Sequence, residues 1–293
     1  MGADGRYAPS PTGILHLGNL RTALAAWLFA RSQAASFLIR MEDLDQGRVQ
    51  PGLDSGQLAD LRSIGLDWDG EVVFQTDRTR LYDDAIVALE DQGLVYECFC
   101  TRAEIREAAS APHGPLPEGA YPGTCLHLTG GEREAKRAGG RPAALRVRAG
   151  ATQVGFLDEL LGPSEGVVDD FVVRRNDGAH AYNLAVVVDD GAQGIGQVVR
   201  GADLLESTPR QLWLAEVLGL PAPRHAHVPL VLGPDGARLA KRHGAVTLRD
   251  VDPQAAVAWM GRTLGLAGAS PREMLSAFDP ARLPRTATRF EGV

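Results

Sequence analysis

The sequence predicts an α/β protein built on a parallel β-sheet. Three observations predict this class: apolar runs alternate with amphipathic helical patterns, a loop rich in glycine and proline leads into the first helix, and one apolar run ends directly in Glu42-Asp43. Strands that alternate with helices pair in parallel, and ligands bind at their carboxyl ends. With 44% hydrophobic and 23% charged residues, the composition excludes disordered, collagen-like and coiled-coil proteins.

The first half of the predicted sheet lies between residues 1 and 97. An extended segment around Arg6 leads through the loop at residues 9–13 into a helix, for which Asn19 is the expected N-cap. The apolar run at residues 36–41 is the next predicted strand. Amphipathic helices are predicted at residues 20–31, 57–64 and 79–92.

Between residues 98 and 168 the pattern changes, which predicts a small inserted module. Cysteines appear there, glycine and proline cluster, and basic residues group together. The sheet is expected to resume over residues 169–235, with strands at 171–175, 182–188, 196–200 and 227–232 and a helix at 209–218. Residues 236–293 are expected to form a basic loop followed by short helices.

The charge and the chain's first residues limit where the protein acts. The net charge is −7, with 30 Lys and Arg against 37 Asp and Glu, which argues mildly against nucleic-acid binding but leaves room for a local basic surface. No stretch approaches the ~20 apolar residues of a membrane span, and the N-terminus lacks the apolar core of a signal peptide. We expect a cytoplasmic monomer with no membrane partner.

Two motifs have the chemistry of phosphate binding. His16-Leu17-Gly18-Asn19 lies where a loop enters a helix, so free backbone N–H groups and the positive end of the helix dipole favour a phosphate. The run from Arg238 to Arg242, which contains Lys241, is a basic loop that could clamp a triphosphate. Taken by itself, each motif is more typical of an ordinary loop than of a phosphate site.

Taken in order, the motifs resemble those of class I glutamyl-tRNA synthetases. The matching segments are residues 6–13, 16–19, 41–45, 182–190, 200–205 and 238–242. The resemblance implies a Rossmann-like class I synthetase catalytic domain with a small zinc-binding insertion and a short helical C-terminal subdomain. It also implies ATP, used with magnesium, and L-glutamate as substrates.

The resemblance further implies which residues form the site. Arg6 and Arg200 would bind the glutamate carboxylates with paired hydrogen bonds, and Glu42 would bind the ammonium. The implied glutamate-binding residues are Arg6, Tyr7, Ala8, Pro9, Ser10, Glu42, Tyr182 and Arg200. The implied ATP-binding residues are His16, Gly18, Asn19, Arg238 and Lys241, with His16 and Lys241 as the catalytic pair.

Length and one substitution favour one branch of this family. Full-length glutamyl-tRNA synthetases continue for roughly 200 more residues as an anticodon-binding domain, which we expect this protein to lack. Val186 stands where they often have an asparagine, which favours the truncated branch. Arg238 and Ala240, which replace a usual lysine and serine of the family, bear on the rate more than on the reaction. The sequence therefore resembles the truncated branch, the glutamyl-queuosine tRNA(Asp) synthetases, which activate glutamate without tRNA and attach it to the queuosine base in the anticodon.

Three other functions stay open at this point. The first is a short glutamyl-tRNA synthetase that charges tRNA(Glu) at its 3′ end. The second is a non-catalytic tRNA-binding module derived from a synthetase. The third is an enzyme that adenylates a small molecule or a protein.

The cysteines Cys98, Cys100 and Cys125 are candidate zinc ligands. Three thiolates need a fourth ligand to complete a tetrahedral site. The resemblance nominates Tyr121, whereas ordinary zinc chemistry nominates His113 or His127. Such a closed site would be structural, one zinc per chain; the alternative is three buried free cysteines.

Overall fold

A central sheet of seven strands organises the computed structural model, which describes residues 4–109, 120–244 and 246–293. The strands are β1 Asp4–Tyr7, β2 Phe37–Met41, β3 Val73–Phe74, β4 Val95–Cys98, β5 Ala144–Val147, β6 Thr152–Asp158, β7 Gly162–Val168, β8 Val172–Arg174, β9 Ile195–Gly201, β10 Arg224–Val228, β11 Val231–Leu232 and β12 Thr288–Arg289. The α-helices are α1 Leu17–Ser32, α2 Leu53–Ser63, α3 Thr79–Asp91, α4 Arg102–Ala109, α5 Gly130–Ala138, α6 Tyr182–Ala192, α7 Thr208–Val217, α8 Pro253–Thr263 and α9 Pro271–Ser276. Short 3₁₀ segments span Gln75–Arg78, Ala202–Ser207, Lys241–His243 and Pro280–Arg282.

The central sheet has the strand order β3-β2-β1-β9-β10-β6-β7. Every neighbouring pair is parallel except the β6–β7 hairpin, so the predicted parallel sheet is confirmed. The registers place Arg6 beside Leu38 and Arg200 beside His227. The carboxyl ends of β1, β2, β9 and β10 consequently meet along one edge of the sheet.

Helix α1 follows β1 and packs against the sheet through a buried apolar face. Leu20, Leu24 and Leu28 on this helix are fully buried. The helix begins at Leu17, and its N-cap is His16 rather than the predicted Asn19. Asn19 is the third helical residue: His16 Nδ1 accepts its backbone N–H at 3.2 Å, and its side-chain oxygen accepts the His16 N–H at 3.3 Å. This reciprocal cap starts the helix one turn earlier than predicted.

The strand predicted at residues 182–188 is wrong, because these residues begin helix α6. Its valines favour a strand by intrinsic preference, but every residue from Leu184 to Asp190 is buried. A continuous apolar run cannot distinguish a buried strand from a buried helix. The segment forms a helix that packs against α3, α7 and β9, and as a result Asp189 and Asp190 are buried in the interior.

Residues 98–168 contribute to two sheets. β4, β5 and β8 form a separate three-stranded antiparallel sheet, and the β6–β7 hairpin joins the central sheet beside β10. The strand predicted at 227–232 is divided between β10 and β11, and the basic loop follows β11. After this loop the chain forms the short helices α8 and α9, as predicted. In the described ranges, no helix combines the length and apolarity needed to cross a membrane.

Candidate active site

A cleft of about 440 Å³ opens at the carboxyl ends of β1, β2 and β9. It brings together every predicted glutamate- or ATP-binding residue whose side chain is described: Arg6, Tyr7, Ala8, Pro9, Ser10, His16, Gly18, Asn19, Glu42, Tyr182, Arg200 and Arg238. The side chain of Lys241 lies outside the described part of the structure, although its backbone belongs to the 3₁₀ segment after the basic loop. Tyr182 lines the cleft and is 40% exposed.

Arg6 is held in the cleft wall by Asp190. Its Nε and Nη2 donate to the two Asp190 carboxylate oxygens at 3.2 and 3.3 Å, and both side chains are buried. The two cations Arg6 and Arg40 beside Asp190 lower the pKa of its carboxyl to about 2, against the opposing effect of burial. The pair therefore stays ionised at neutral pH, and Arg6 keeps both N–H groups of Nη1 and the second N–H of Nη2 for a ligand.

A second buried cation lies behind the cleft. Arg40 on β2 is fully buried and donates from Nη1 to Asp190 at 2.8 Å, while its Nη2 lies 3.5 Å from Glu42 Oε1. Burial raises the pKa of the Glu42 carboxyl, although Arg40 and Arg6 oppose the rise. A ligand ammonium at Glu42 would supply the further positive charge that favours the carboxylate.

Arg200 differs from these arginines because neutral groups surround it. Its Nη1 donates to Gln211 Oε1 at 2.7 Å and its Nη2 to Thr208 Oγ1 at 2.9 Å. Among the described residues no carboxylate lies within 4.0 Å of this guanidinium, which is only 5% exposed. Burial lowers the pKa of Arg200, and within the part of the cleft that the structure describes this buried cation has no carboxylate in direct contact.

The entrance of α1 has the geometry of a phosphate site. Because His16 Nδ1 accepts the Asn19 N–H, a neutral His16 bears its proton on Nε2 and can donate it to a ligand. Burial, assisted by Arg238, lowers the pKa of His16 to about 4, so the ring is neutral at physiological pH. A Cβ on Gly18 would lie 3.0 Å from the His16 ring, which explains why glycine occupies this position.

The basic loop reaches the same cleft. Arg238 forms an ion pair with Asp203, the residue after the start of the Ala202–Ser207 segment. Further along the loop, the Ala240 N–H donates to His243 Nδ1 at 3.0 Å, and His243 Nε2 lies 3.1 Å from Asp235 Oδ2. The loop is therefore fixed by its own side chains even though Ala240 replaces the family's serine.

Sequence reasoning missed the residues that orient the arginines. Asp190 holds Arg6 and Arg40, while Gln211, Thr208 and His227 hold Arg200. A signal for Asp190 existed, because two aspartates directly follow an apolar run. The contacts to Arg200 span residues distant along the chain and left no local pattern.

The three cysteines form a separate cluster, whose sulfur atoms all lie within 4.8 Å of one another. Cys100 and Cys125 are 3.5 Å apart, close to the roughly 3.8 Å expected of two thiolates around one tetrahedral zinc. The Tyr121 hydroxyl lies 3.3 Å from Cys98 and 3.7 Å from Cys100. The donor set therefore fits a zinc ion with a phenolate as the fourth ligand. His127 is exposed and outside the cluster, and His113 is outside the described residues.

Comparison with known proteins agrees with this arrangement. A family model described as the catalytic domain of class I tRNA synthetases (E and Q) matches residues 4–283. The chain belongs to this family. The predicted resemblance to class I synthetases and the predicted fold class are thereby confirmed, and the tRNA synthetase family to which this catalytic domain belongs uses ATP.

Relatives of this synthetase carry a more specific name. A protein of Nocardia farcinica named glutamyl-Q tRNA(Asp) synthetase is 61% identical over 290 residues, covering 97% of this chain and 92% of that protein. One of the same name from Symbiobacterium thermophilum is 47% identical over 307 residues, covering 98% and 95%. The predicted resemblance to the truncated branch is confirmed.

A solved structure shows the same fold. The synthetase superposes on a glutamate tRNA ligase from Elizabethkingia meningosepticum, crystallised in complex with its amino acid, with a TM-score of 0.83 and 27% identity. The match covers 99% of this chain and 67% of that ligase.

Proposed function

We propose that this synthetase activates L-glutamate with ATP in the absence of tRNA and transfers it to the queuosine base in the anticodon of tRNA(Asp). The observation that carries the amino-acid part is Arg200, a buried guanidinium in the cleft with only neutral partners. The names of the relatives support the tRNA part.

The charges of the cleft match those of glutamate. Arg200 binds the side-chain carboxylate, the free Nη1 of Arg6 binds the α-carboxylate, and Glu42 binds the ammonium. Arg6 and Arg238 already have protein carboxylates as partners, so among the arginines whose side chains are described in the cleft, Arg200 is the one without a carboxylate partner. Glutamine would be rejected, because its amide would leave this buried guanidinium without an anion.

Activation requires charge stabilisation more than acid–base chemistry. An α-carboxylate oxygen of glutamate attacks the α-phosphorus of ATP, the bond to the bridging oxygen breaks, and pyrophosphate leaves. The amino end of α1 and His16 Nε2–H donate to the phosphates, and Arg238 and Lys241 neutralise the developing charge. Magnesium on the triphosphate supplies further neutralisation.

Transfer follows in the same cleft. A hydroxyl of the queuosine cyclopentene ring attacks the carbonyl carbon of the adenylate, and AMP leaves. The anticodon loop is single-stranded, so its bases can be splayed into a pocket without opening a duplex. Close placement of the two reactants supplies much of the rate of this step.

The cysteine cluster has a structural role in this proposal. Cys98, Cys100, Cys125 and Tyr121 would hold one zinc ion, which when bound ties the β4–β5–β8 sheet to the segment around Tyr121. None of these ligands lines the cleft, so they take no part in the reaction. We also propose that the enzyme acts as a cytoplasmic monomer, because ATP and tRNA are found in that compartment and one chain supplies the whole cleft.

Two assays test the proposal. Exchange of labelled pyrophosphate into ATP should depend on glutamate and not on tRNA. Labelled glutamate should then enter tRNA(Asp) that contains queuosine, and neither tRNA(Asp) that lacks it nor tRNA(Glu). Labelling of tRNA(Glu) would instead establish a short glutamyl-tRNA synthetase, and absence of exchange a non-catalytic binding module. Glutamate-dependent exchange with transfer only to a small molecule or a protein would also overturn it.

A further inference from the structure

The third nitrogen of Arg200 has a partner that the proposed reaction does not use. Arg200 Nε lies 3.0 Å from Nε2 of His227, the residue beside it in the register of β9 and β10. An arginine Nε–H can only donate, so His227 Nε2 must accept. The His227 ring is therefore neutral, with its proton on Nδ1.

Asp158 enforces this tautomer. Its Oδ2 lies 2.6 Å from His227 Nδ1 and accepts a hydrogen bond from the Nδ1–H, and both side chains are fully buried. The carboxylate is itself fixed by backbone N–H groups, since Leu160 and Leu161 donate to Oδ1 at 3.0 and 2.9 Å. Burial lowers the pKa of His227, which keeps the ring from taking a second proton at neutral pH.

We infer that Asp158 and His227 are positioning residues for the glutamate side chain: they hold Arg200 in the one orientation that presents its free N–H to a carboxylate. The inference rests on the proposed function for the identity of the ligand. Nη1 and Nη2 also have neutral protein acceptors, and the bond from Nε to His227 adds a third fixed point in the plane of the guanidinium. Neither Asp158 nor His227 lines the cleft. They act through Arg200 and not on the substrate.

The variant Asp158→Asn tests the tautomer without changing side-chain volume. Its amide oxygen can keep the bonds to the backbone, while its NH₂ group donates to His227 Nδ1. The ring must then move its proton to Nε2, where it opposes the Nε–H of Arg200. We expect the KM for glutamate in pyrophosphate exchange to rise at least about tenfold, with the KM for ATP unchanged, and discrimination against glutamine to fall by a similar factor.

The variant His227→Gln separates positioning from mere packing. The glutamine oxygen can accept the Arg200 Nε–H and has no tautomer for Asp158 to control. We therefore expect Asp158→Asn to raise the KM for glutamate at least about tenfold in the wild-type background and less than about twofold in the His227→Gln background. Equal effects in both backgrounds would show that Asp158 only packs, and would overturn the inference.

His225 supplies a matched control. It lies two residues away on β10, is similarly buried and stacks on His227 with ring centroids 5.9 Å apart, but it makes no hydrogen bond to Arg200. His225→Gln should leave the KM for glutamate within about twofold of wild type. A rise equal to that of Asp158→Asn would assign the effect to general disturbance of β10.

A spectroscopic readout keeps the inference separate from the proposed function. Nitrogen-15 shifts of the His227 ring should show protonation at Nδ1 in the wild-type protein and at Nε2 in Asp158→Asn. Protonation at Nε2 in the wild type would overturn the inference even in an active enzyme. A protein with the expected tautomers but no glutamate-dependent exchange would instead contradict the proposed function.

Discussion

Asp190 accepts two hydrogen bonds from Arg6, with nitrogen–oxygen distances of 3.2 and 3.3 Å, although the two residues lie 184 positions apart in the chain. The same carboxylate accepts from Arg40 at 2.8 Å. One residue of α6 therefore aims an arginine of β1 and an arginine of β2. A network of buried, mutually oriented charges therefore lies behind the cleft and fixes the position of Arg6.

Replacing Asp190 with asparagine should destabilise the protein, because Arg6 and Arg40 would lose a shared buried anion. We expect the free energy of unfolding in urea to fall by about 3 kcal/mol. Asp84→Asn is the control: Asp84 is an exposed residue 4.0 Å from Arg80, and its loss should cost less than about 0.5 kcal/mol. Similar losses in the two variants would show that the Asp190 network adds nothing to stability.

The contribution of Asp190 should also depend on pH. Its folded-state pKa of about 2 lies below the ordinary 3.8, so the unfolded state binds the proton first as the pH falls. The stability difference between wild type and Asp190→Asn should be complete above about pH 5 and shrink as the pH falls through 3.8 towards 2. Urea titrations of both proteins between pH 6 and 2.5 measure it; a constant difference would contradict the shifted pKa.

Arg200→Lys should lose glutamate recognition although it keeps the positive charge. Lysine lacks the planar fork that bonds Gln211, Thr208 and His227 at once, so the charge would no longer be held in place. We expect kcat/KM for glutamate in pyrophosphate exchange to fall roughly 30- to 1000-fold. This fall corresponds to a loss of about 2–4 kcal/mol of transition-state stabilisation. Arg224→Lys is the matched control, because Arg224 forms an exposed pair with Glu159 on the same sheet. A fall in kcat/KM of less than threefold would show that Arg200 does not bind glutamate.

His16 combines a helix cap with a phosphate donor, and two substitutions separate these roles. His16→Asn keeps a good N-cap, whereas His16→Ala removes it and should lower the free energy of unfolding by about 1 kcal/mol. Both variants should lose about 100-fold in kcat, because both lack the Nε2–H donor. Full activity of His16→Asn would show that the ring only caps the helix.

The low pKa of His16 has a consequence for stability. Because burial holds it near 4, below the unfolded value of 6.5, the unfolded state takes up the proton first between these values. The contribution of His16 to the free energy of unfolding should be complete above pH 6.5 and should decline as the pH falls towards 4. Comparing urea unfolding of wild type and His16→Asn over this window isolates the effect, and parallel curves would contradict the shift.

Metal analysis and chelation test the cysteine cluster. Purified protein should contain one zinc per chain, and Cys125→Ser should lose it. Removal of the metal should increase amide hydrogen exchange in β4, β5 and β8, while β1, β2 and β9 stay protected, because the cluster joins only the smaller sheet. Tyr121→Phe should weaken zinc binding without abolishing it. Protein that lacks metal and keeps full protection of the smaller sheet would contradict the site.

The sequence by itself determined the parallel α/β class and the candidate cysteine cluster, because each follows from a short local pattern, while the candidate cleft residues came from the resemblance to class I glutamyl-tRNA synthetases. Apolar runs followed by polar residues place strand ends, and the motifs around Arg6, His16 and Arg200 occupy those ends. Only the tertiary structure decided that residues 182–192 form a helix, since consecutive buried valines fit a strand equally well until their neighbours are known. The partners of the arginines were decided there too: Asp190 lies 184 residues from Arg6, and His227 lies 69 residues from Asp158. Hydrogen bonds between such distant residues arise from how the strands and helices pack, so they cannot be predicted from the spacing of residues along the chain.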